Sequence, residues 1–258
     1  MKLQDKVIVI TGGAGGIGKA TAMVCAGYGG KVIVSDLKQD ACDKAAAEIV
    51  AKGGEAIGVA ADVTDRSAVK AAVEKIMAKY GKIDVLFNNA GGIAEACVHE
   101  MTEQQYDFVM DINCKGAFNW AHEVANVMIP KKKGRIITTS SITGSVAEYS
   151  IPTYGMSKAA LRLLTQNLAL ELGQYGITAV SVSPGHIDTS LLRNTFYRRA
   201  EEQNKDPQEF FDALEATIPL GRLGQPEEIG ELIAFLCDDR SAYIDGCNII
   251  ISGGKIMW

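Results

Sequence analysis

The sequence predicts a single α/β domain built on a mostly parallel β-sheet. Short runs rich in β-branched residues alternate with longer helical patterns, which is typical of repeated βαβ units. Several of the predicted strands are almost entirely apolar, as expected for strands covered by helices on both faces. No linker or change of composition divides the chain, so one domain spanning residues 1–258 is expected.

The predicted elements alternate along the chain. Strands are expected at residues 6–10, 31–35, 55–60, 85–88, 134–139, 178–182 and 248–251. Helices are expected near residues 17–28, 39–52, 66–79, 103–128, 153–173 and 226–237. The segment 188–218 breaks the alternation, because it is polar, charged and too long for an ordinary βα connection. We interpret it as an irregular substrate-loop insertion, with a plain surface excursion as the alternative.

Composition narrows the possible partners. The chain has 258 residues and is 47% hydrophobic. Its net charge of −5 gives no reason to expect nucleic acid or an anionic membrane as a partner. Its six cysteines form no C-x-x-C pair and no histidine spacing suggests zinc, so no metal is expected. Scattered free thiols favour a reducing, cytoplasmic setting. The polar start does not fit a secretory signal, and no apolar stretch is long enough to span a bilayer.

A glycine-rich loop follows the first predicted strand and opens the first predicted helix. It reads Thr-Gly-Gly-Ala-Gly-Gly-Ile-Gly from Thr11 to Gly18. Glycines permit a tight turn and let the backbone approach a pyrophosphate, while the amino terminus of a helix favours negative charge. A glycine cluster can also serve a plain turn, but its place between a strand and a helix favours dinucleotide binding.

An acidic residue at the end of the second predicted strand favours NAD over NADP. Asp36 can hydrogen-bond both hydroxyls of an adenosine ribose and would repel a 2′-phosphate. Leu37 follows it, and neither arginine nor lysine occurs between Gly12 and Gly18 to receive that phosphate. The alternative, that Asp36 starts the next helix, is less favoured because Asp40 is the better cap candidate.

Tyr154 and Lys158 form a candidate proton-transfer pair. They occupy positions i and i+4 of a predicted helix, where side chains share a face. The ammonium favours the phenolate, so we expect the pKa of Tyr154 to lie below its ordinary value of about 10. Such a phenol can act as a general acid or base, and Ser141, which follows a buried strand, could hold a substrate oxygen beside it. On its own the pair would more often be a structural surface pair, so the rest of the chain decides its interpretation.

The chain resembles a classical short-chain dehydrogenase/reductase over essentially its whole length. The motifs that carry the likeness are Thr11-Gly12 with Gly16 and Gly18, Asp62-Val63, Asn88-Asn89-Ala90-Gly91, Asn113, Ser141, Tyr154 with Lys158, and Pro184-Gly185. The resemblance implies a Rossmann-like, doubly wound domain with a seven-stranded parallel sheet flanked by helices. It also implies an NAD-dependent oxidoreductase that interconverts a secondary alcohol and a ketone by hydride transfer.

The resemblance implies a set of cofactor contacts, position by position. They are Gly12, Gly16, Ile17, Gly18, Asp36, Leu37, Asp62, Val63, Asn89, Ala90, Gly91, Tyr154, Lys158, Pro184, Gly185, Ile187 and Thr189. Asp62 and Val63 would contact the adenine, although Asp62 could instead belong to the start of the next helix. Thr189 would bond the nicotinamide carboxamide, although it could equally cap the helix that follows.

The implied catalytic residues are Asn113, Ser141, Tyr154 and Lys158. Ser141 and Tyr154 would hydrogen-bond the substrate oxygen, and Tyr154 would pass its proton as the hydride moves. Lys158 would bond the nicotinamide ribose and lower the pKa of Tyr154. Asn113 would bend its helix and hold a water that connects Lys158 to solvent.

The substrate is less well defined by the resemblance. The implied pocket draws on residues 93–98 and 142–149, His186 and the 188–218 insertion, which are mainly apolar and suit a hydroxysteroid or other bulky cyclic alcohol. Sugars or polyols, small diols and 3-oxoacyl thioesters stay open, although thioester reduction usually goes with NADP and Asp36 counts against it. His186 could touch substrate or be a plain loop histidine. A catalytically silent NAD-binding sensor is the alternative of a different class, but such proteins typically lose the serine, tyrosine or lysine.

The resemblance also implies a homotetramer. The helices at 103–128 and 153–173 would pack across one interface and the terminal strand across another. Trp258 could cover a neighbouring subunit or its active site.

Overall fold

Seven parallel strands lie where the sequence predicts them in the computed structural model, which describes residues 1–257. They are β1 (Val7–Thr11), β2 (Lys31–Asp36), β3 (Glu55–Ala60), β4 (Val85–Asn88), β5 (Gly134–Thr139), β6 (Ile177–Pro184) and β7 (Asn248–Ile251). They form one sheet in the order β3-β2-β1-β4-β5-β6-β7. The strand order reverses between β1 and β4, so the predicted doubly wound, seven-stranded parallel sheet is confirmed. The expectation for Trp258 falls outside the described residues.

Helices cover both faces of the sheet. They are α1 (Gly16–Gly27), α2 (Gln39–Ala51), α3 (Arg66–Tyr80), α4 (Glu103–Met110), α5 (Gly116–Met128), α6 (Pro152–Leu172), α7 (Ser190–Gln203), α8 (Pro207–Glu215) and α9 (Pro226–Cys237). One core packs α1, α2 and α9 against one face, with Ile8 and Ile233 fully buried. A second core packs α3, α5 and α6 against the other face around Val9 and Trp120. Within residues 1–257, none of these helices is both long and apolar enough to cross a membrane.

The long helix predicted at 103–128 is interrupted in the structure. A π-helical turn, Asp111–Lys115, separates α4 from α5. The turn places Asn113 in the interior, where it is fully buried. π-turns of this kind are frequent at functional sites, and this one occurs at the asparagine for which a bend is expected.

The segment 188–218 is helical, so the expectation of an irregular insertion is wrong. Thr189 and Asp206 cap α7 and α8 through their side chains. Phe196 and Phe211 pack edge to face, with ring centroids 5.0 Å apart, in a small core of their own. The polar helix α7 lacks the wide apolar stripe that predicts a helix, whereas the short α8 has an apolar face that packs in this separate core and not on the sheet.

The expected cap of α2 is also wrong. Lys38, with extended backbone, occupies the cap position, and Asp40 lies inside the first turn. There its negative charge still interacts favourably with the positive, amino-terminal end of the helix dipole.

Candidate active site

The glycine loop lies at the carboxyl ends of β1 and β4, where the strand order reverses. In open α/β sheets this is the crevice in which ligands bind. Gly12 and Gly16 adopt left-handed backbone conformations, with φ of 62° and 50°. A Cβ atom at Gly18 would lie 2.1 Å from the Gly12 carbonyl oxygen, whereas the space beside Gly15 is open. The loop therefore has the tight, open cradle that a pyrophosphate requires.

Thr11 and Asn89 hold this loop against the end of β4. The Thr11 hydroxyl oxygen accepts hydrogen bonds from the backbone N–H groups of Asn89 (2.9 Å) and Ala90 (3.0 Å). The Asn89 side-chain amide donates to the Thr11 carbonyl (3.1 Å). The structure thus brings Asn89 and Ala90 to the loop, but the Asn89 amide is used to fix the backbone. Thr11 was not among the predicted site residues, although it belongs to the Thr11-Gly12 motif of the family resemblance.

Asp36 reaches back over the glycine loop from the end of β2. Its carboxylate accepts hydrogen bonds from the backbone N–H groups of Ala14 (3.2 Å) and Leu37 (2.8 Å). The Leu37 side chain is exposed. A carboxylate beside the glycine loop is the arrangement that suits the two hydroxyls of an adenosine ribose.

Asp62 and Val63 follow β3 at the same edge of the sheet. The Asp62 carboxylate accepts from both the backbone N–H and the hydroxyl of Thr64, at 2.8 Å each, so it belongs to a turn. Asp65, not Asp62, caps α3. The Val63 carbonyl accepts from Asn119 (2.9 Å), which anchors this segment to α5.

Ser141, Tyr154 and Lys158 meet at the carboxyl end of β5. Ser141 begins a short 3₁₀ turn after this strand, and the other two lie on α6. The Lys158 ammonium lies over the Tyr154 ring, 5.4 Å from its centroid, and donates a hydrogen bond to the Thr139 carbonyl (2.9 Å). Lys158 is only 3% exposed. The predicted i, i+4 pair is therefore an interior feature and not a surface pair.

Asn113 anchors the segment that follows β4 to α6. Its side chain accepts from the Gly92 N–H (2.8 Å) and donates to the Gly92 carbonyl (3.1 Å) and to the Ser157 hydroxyl (2.8 Å). Ser157 in turn donates to the Tyr154 carbonyl (2.7 Å). A Cβ atom at Gly91 would lie 3.2 Å from the Asn113 amide oxygen and 3.4 Å from the Lys158 ammonium, so Gly91 fits between them. The role of Ser157 was not predicted, although it lies one turn beyond Tyr154.

The Ser141 hydroxyl is free to donate a hydrogen bond to a ligand. Its oxygen accepts hydrogen bonds from the Thr143 N–H (3.2 Å) and the Thr143 hydroxyl (2.9 Å). Its own hydrogen therefore remains available for an acceptor in the cavity above it.

The ionisation of Tyr154 differs from the expectation. Burial raises the pKa of Tyr154 to about 12, the nearby Ser141 hydroxyl lowers it and the charge of Glu148 raises it. Burial also lowers the pKa of Lys158 to about 8. The expected lowering of the Tyr154 pKa is wrong for this structure, because loss of solvation penalises the phenolate and the Lys158 ammonium contacts the ring face.

The segment from Pro184 to Thr189 joins this site to the glycine loop. The Gly185 N–H donates to the Ile251 carbonyl (2.9 Å), which fixes the turn after β6. Ile187 packs in the core and is 8% exposed. A Cβ atom at Gly16 would lie 3.7 Å from the Thr189 methyl group. Thr189 caps α7 (3.4 Å to the Leu192 N–H), as its alternative interpretation predicts.

A cavity of about 660 Å³ opens above Ser141 and Tyr154. All the regions expected to form the substrate pocket contribute to it, and so does Ile17 from the glycine loop. Its main apolar lining comes from Ile17, Ile93, Ile142, Leu191, Leu192, Phe196, Phe210 and Leu214. Asp36, Asp62 and Val63 do not line this cavity. The described residues contain no group of three or more His, Cys, Asp or Glu side chains that could hold a metal.

Known proteins match this chain along nearly all of its length. Residues 12–255 match the model of a family described as enoyl-(acyl carrier protein) reductase. The 3-oxoacyl-(acyl-carrier-protein) reductase FabG of Thermotoga maritima is 37% identical over 257 residues, covering 100% of both chains. The cyclohexanol dehydrogenase of an Acinetobacter strain is 34% identical and covers 98% of this chain and 95% of its own.

A solved structure agrees with these matches. A short-chain type dehydrogenase/reductase from Mycobacterium marinum superposes with a TM-score of 0.90 and 34% identity, covering 100% of this chain and 98% of its own. The chain is therefore an oxidoreductase of the classical short-chain dehydrogenase/reductase family, whose members bind a nicotinamide cofactor.

Proposed function

We propose that the protein interconverts a secondary alcohol and a ketone by NAD(H)-dependent hydride transfer. The convergence of Ser141, Tyr154 and Lys158 below one cavity carries this proposal. The glycine loop and the Gly185–Thr189 segment border the same cavity. Two hydroxyls that can hold one substrate oxygen thus lie next to a dinucleotide cradle, which is the geometry that proton-coupled hydride transfer needs.

The side chains of the protein would hold the substrate oxygen and move its proton. NAD, when bound in the cradle, would supply hydride exchange at the nicotinamide C4. The Ser141 hydroxyl would donate a hydrogen bond to the substrate oxygen. Tyr154 would give its proton to that oxygen during ketone reduction and take it back during alcohol oxidation. Lys158, fixed by the Thr139 carbonyl, would hold the nicotinamide ribose and provide positive charge beside Tyr154.

The preference for NAD rests on Asp36. Its carboxylate stands beside the Ala14 N–H of the glycine loop, where it would accept from ribose hydroxyls and repel a 2′-phosphate. Leu37 offers no positive charge to offset that repulsion.

The substrate class we favour is a cyclic or otherwise bulky alcohol. The largely apolar cavity supports it, and so does the similarity to a cyclohexanol dehydrogenase. The second candidate is reduction of an acyl thioester, which the names of the matching family and of the Thermotoga relative suggest. A silent NAD-binding sensor is disfavoured because the serine, tyrosine and lysine are all present.

The proposal is tested by NADH and NADPH oxidation against cyclohexanone, a 3-ketosteroid, an acetoacetyl thioester and a crotonyl thioester. We expect turnover of a cyclic ketone with NADH. Tyr154→Phe should lower kcat by about 10²- to 10⁴-fold, the usual contribution of a positioned proton donor. NADH affinity, measured by fluorescence titration, should stay within about threefold. Near-normal turnover in Tyr154→Phe would contradict the mechanism, and activity confined to a thioester with NADPH would contradict the proposed substrate and cofactor.

We further propose that the protein works as a homotetramer in the cytoplasm. Six free cysteines support a reducing compartment. Exposed apolar side chains on α4, α5 and α6 support assembly through these helices.

A further inference from the structure

A second cavity, of about 600 Å³, adjoins the cavity above Tyr154. It lies against α7 and α8 and is lined partly by the same residues as the first cavity. The wall that the two cavities share is apolar apart from Glu148, His186 and Arg199. These three side chains are the polar groups that a substrate reaching from one cavity into the other would pass.

Arg199 is held in an ion pair with another part of the chain. Its guanidinium lies 2.8 Å from a carboxylate oxygen of Glu95, which also pairs with Arg198. The Glu95 side chain is mostly buried between the loop after β4 and α7. The other two polar groups of the wall, Glu148 and His186, pair with each other.

His186 and Glu148 contact each other. His186 Nε2 lies 3.5 Å from Glu148 Oε1, and His186 Nδ1 is buried without a hydrogen-bond partner among residues 1–257. A neutral ring with its hydrogen on Nε2 satisfies this geometry, since it avoids a buried, unpaired N–H; this tautomer is assigned from the contacts. His186 therefore orients Glu148 by donating to one of its oxygens.

At neutral pH the Glu148 side chain is a carboxylate that accepts hydrogen bonds. The contact with His186, aided by the charges of Lys255 and Arg199, holds the pKa of Glu148 below its ordinary value. The carboxylate is consequently ionised at neutral pH and can accept, but not donate, hydrogen bonds. It would repel a carboxylate or a phosphate and would accept a hydrogen bond from a hydroxyl.

We propose that Glu148, oriented by His186, binds a second hydroxyl of the substrate, so that the enzyme selects diols and hydroxyketones over simple alcohols. The inference rests on the proposed function and names the substrate class of the same site. Glu148 and Tyr154 line one cavity, so a single small molecule can contact both. The second hydroxyl is bound but not changed; oxidation takes place only at the carbon whose oxygen contacts Ser141 and Tyr154.

The test compares kcat/KM for trans-1,2-cyclohexanediol and cyclohexanol, each oxidised with NAD. The wild-type enzyme should prefer the diol, and Glu148→Gln should lower the diol-to-cyclohexanol ratio about tenfold, because a charged acceptor is lost. Glu209→Gln is the matched control: Glu209 lines only the second cavity, and the ratio should stay within about twofold. An unchanged ratio in Glu148→Gln overturns the inference.

The orienting role of His186 is tested by a pair of variants. His186→Leu should lower the same ratio through a higher KM for the diol, whereas His186→Gln, which keeps an N–H donor, should restore it. Equal loss in both variants overturns the role of His186.

Failure of the proposed function can be distinguished from failure of the inference about Glu148. If the wild-type enzyme oxidises neither alcohol with NAD, that function fails. Saturation-transfer NMR with the diol and the cofactor-free protein then decides the inference. Binding weakened by Glu148→Gln but not by Glu209→Gln supports it, and absence of binding to the wild-type protein overturns it.

Discussion

At the scale of single residues, burial sets the protonation of the proposed proton donor. It raises the pKa of Tyr154 to about 12 and lowers the pKa of Lys158 to about 8. At neutral pH the phenol is therefore protonated and the lysine is largely charged. This is the state from which a ketone can be reduced, because the proton to be transferred is already in place.

These pKa values predict different pH dependences for the two reaction directions. Alcohol oxidation needs the Tyr154 phenolate, whose fraction rises with pH below its pKa. Its kcat/KM should therefore rise from about pH 6 to pH 9, less steeply once Lys158 loses its charge. Ketone reduction needs the protonated phenol and should stay nearly constant over this range. Initial rates in both directions check this; oxidation independent of pH would contradict the raised pKa of Tyr154.

The sequence predicted which candidate active-site residues meet, but not their ionisation. The positions of Ser141, Tyr154 and Lys158 followed from local spacing and from the family's motifs. The pKa of Tyr154 depends on how much solvent the surrounding elements remove, which local spacing does not contain. Thr11 was missed for a related reason, because it contacts Asn89 across two neighbouring strands.

At the scale of elements, the glycine loop is shaped by one close backbone contact. A Cβ atom at Gly18 would lie 2.1 Å from the Gly12 carbonyl oxygen and 2.7 Å from the Asn89 amide nitrogen. Both neighbours are fixed, because the Asn89 amide is bonded to the Thr11 carbonyl. The start of α1 would have to move away from β4 to accommodate any side chain.

Gly18→Ala should therefore weaken NADH binding at least about tenfold and lower the free energy of unfolding by about 1–3 kcal/mol. Gly15→Ala is the matched control. Gly15 has extended backbone, with φ of −152°, and its Cβ would meet nothing within 4 Å. Its effect on the free energy of unfolding should stay within about 0.5 kcal/mol. Fluorescence titration measures NADH binding and chemical denaturation measures the free energy of unfolding; equal losses of the free energy of unfolding in the two variants would contradict the close-contact argument.

The elements that the sequence predicted best are those buried against the sheet. Their apolar runs and helical periodicity report contact with the core, so β1 to β7 and most helices lie within a few residues of their predicted bounds. The helices α7 and α8 were missed because Phe196 and Phe211 pack on each other and not on the sheet. The π-turn at Asn113 could not be predicted from the apolar periodicity, because one widened turn barely alters it. A bend there was expected only from the family resemblance.

At the scale of the whole molecule, one side of the domain exposes large apolar side chains. Leu163 and Leu170 on α6 are 59% and 82% exposed, and Phe118 on α5 is 50% exposed. Leu163 and Leu170 are i and i+7 on one helix, so they share a face. Burial of each leucine against another subunit would contribute about 1.5–3 kcal/mol, which favours assembly through this face.

The double variant Leu163→Asp with Leu170→Asp should therefore dissociate the proposed homotetramer. Two carboxylates placed in an apolar interface lose the burial of both leucines and add the cost of desolvating charge. Val50→Asp is the matched control, because Val50 is 53% exposed on α2, a helix that packs on the opposite face of the sheet. Sedimentation velocity at micromolar concentration should show a tetramer for the wild type and for Val50→Asp, and smaller species for the double variant. Circular dichroism should show the same helix content in all three, since the substituted side chains are exposed. A wild-type monomer, or a double variant that remains tetrameric, would contradict assembly through α6.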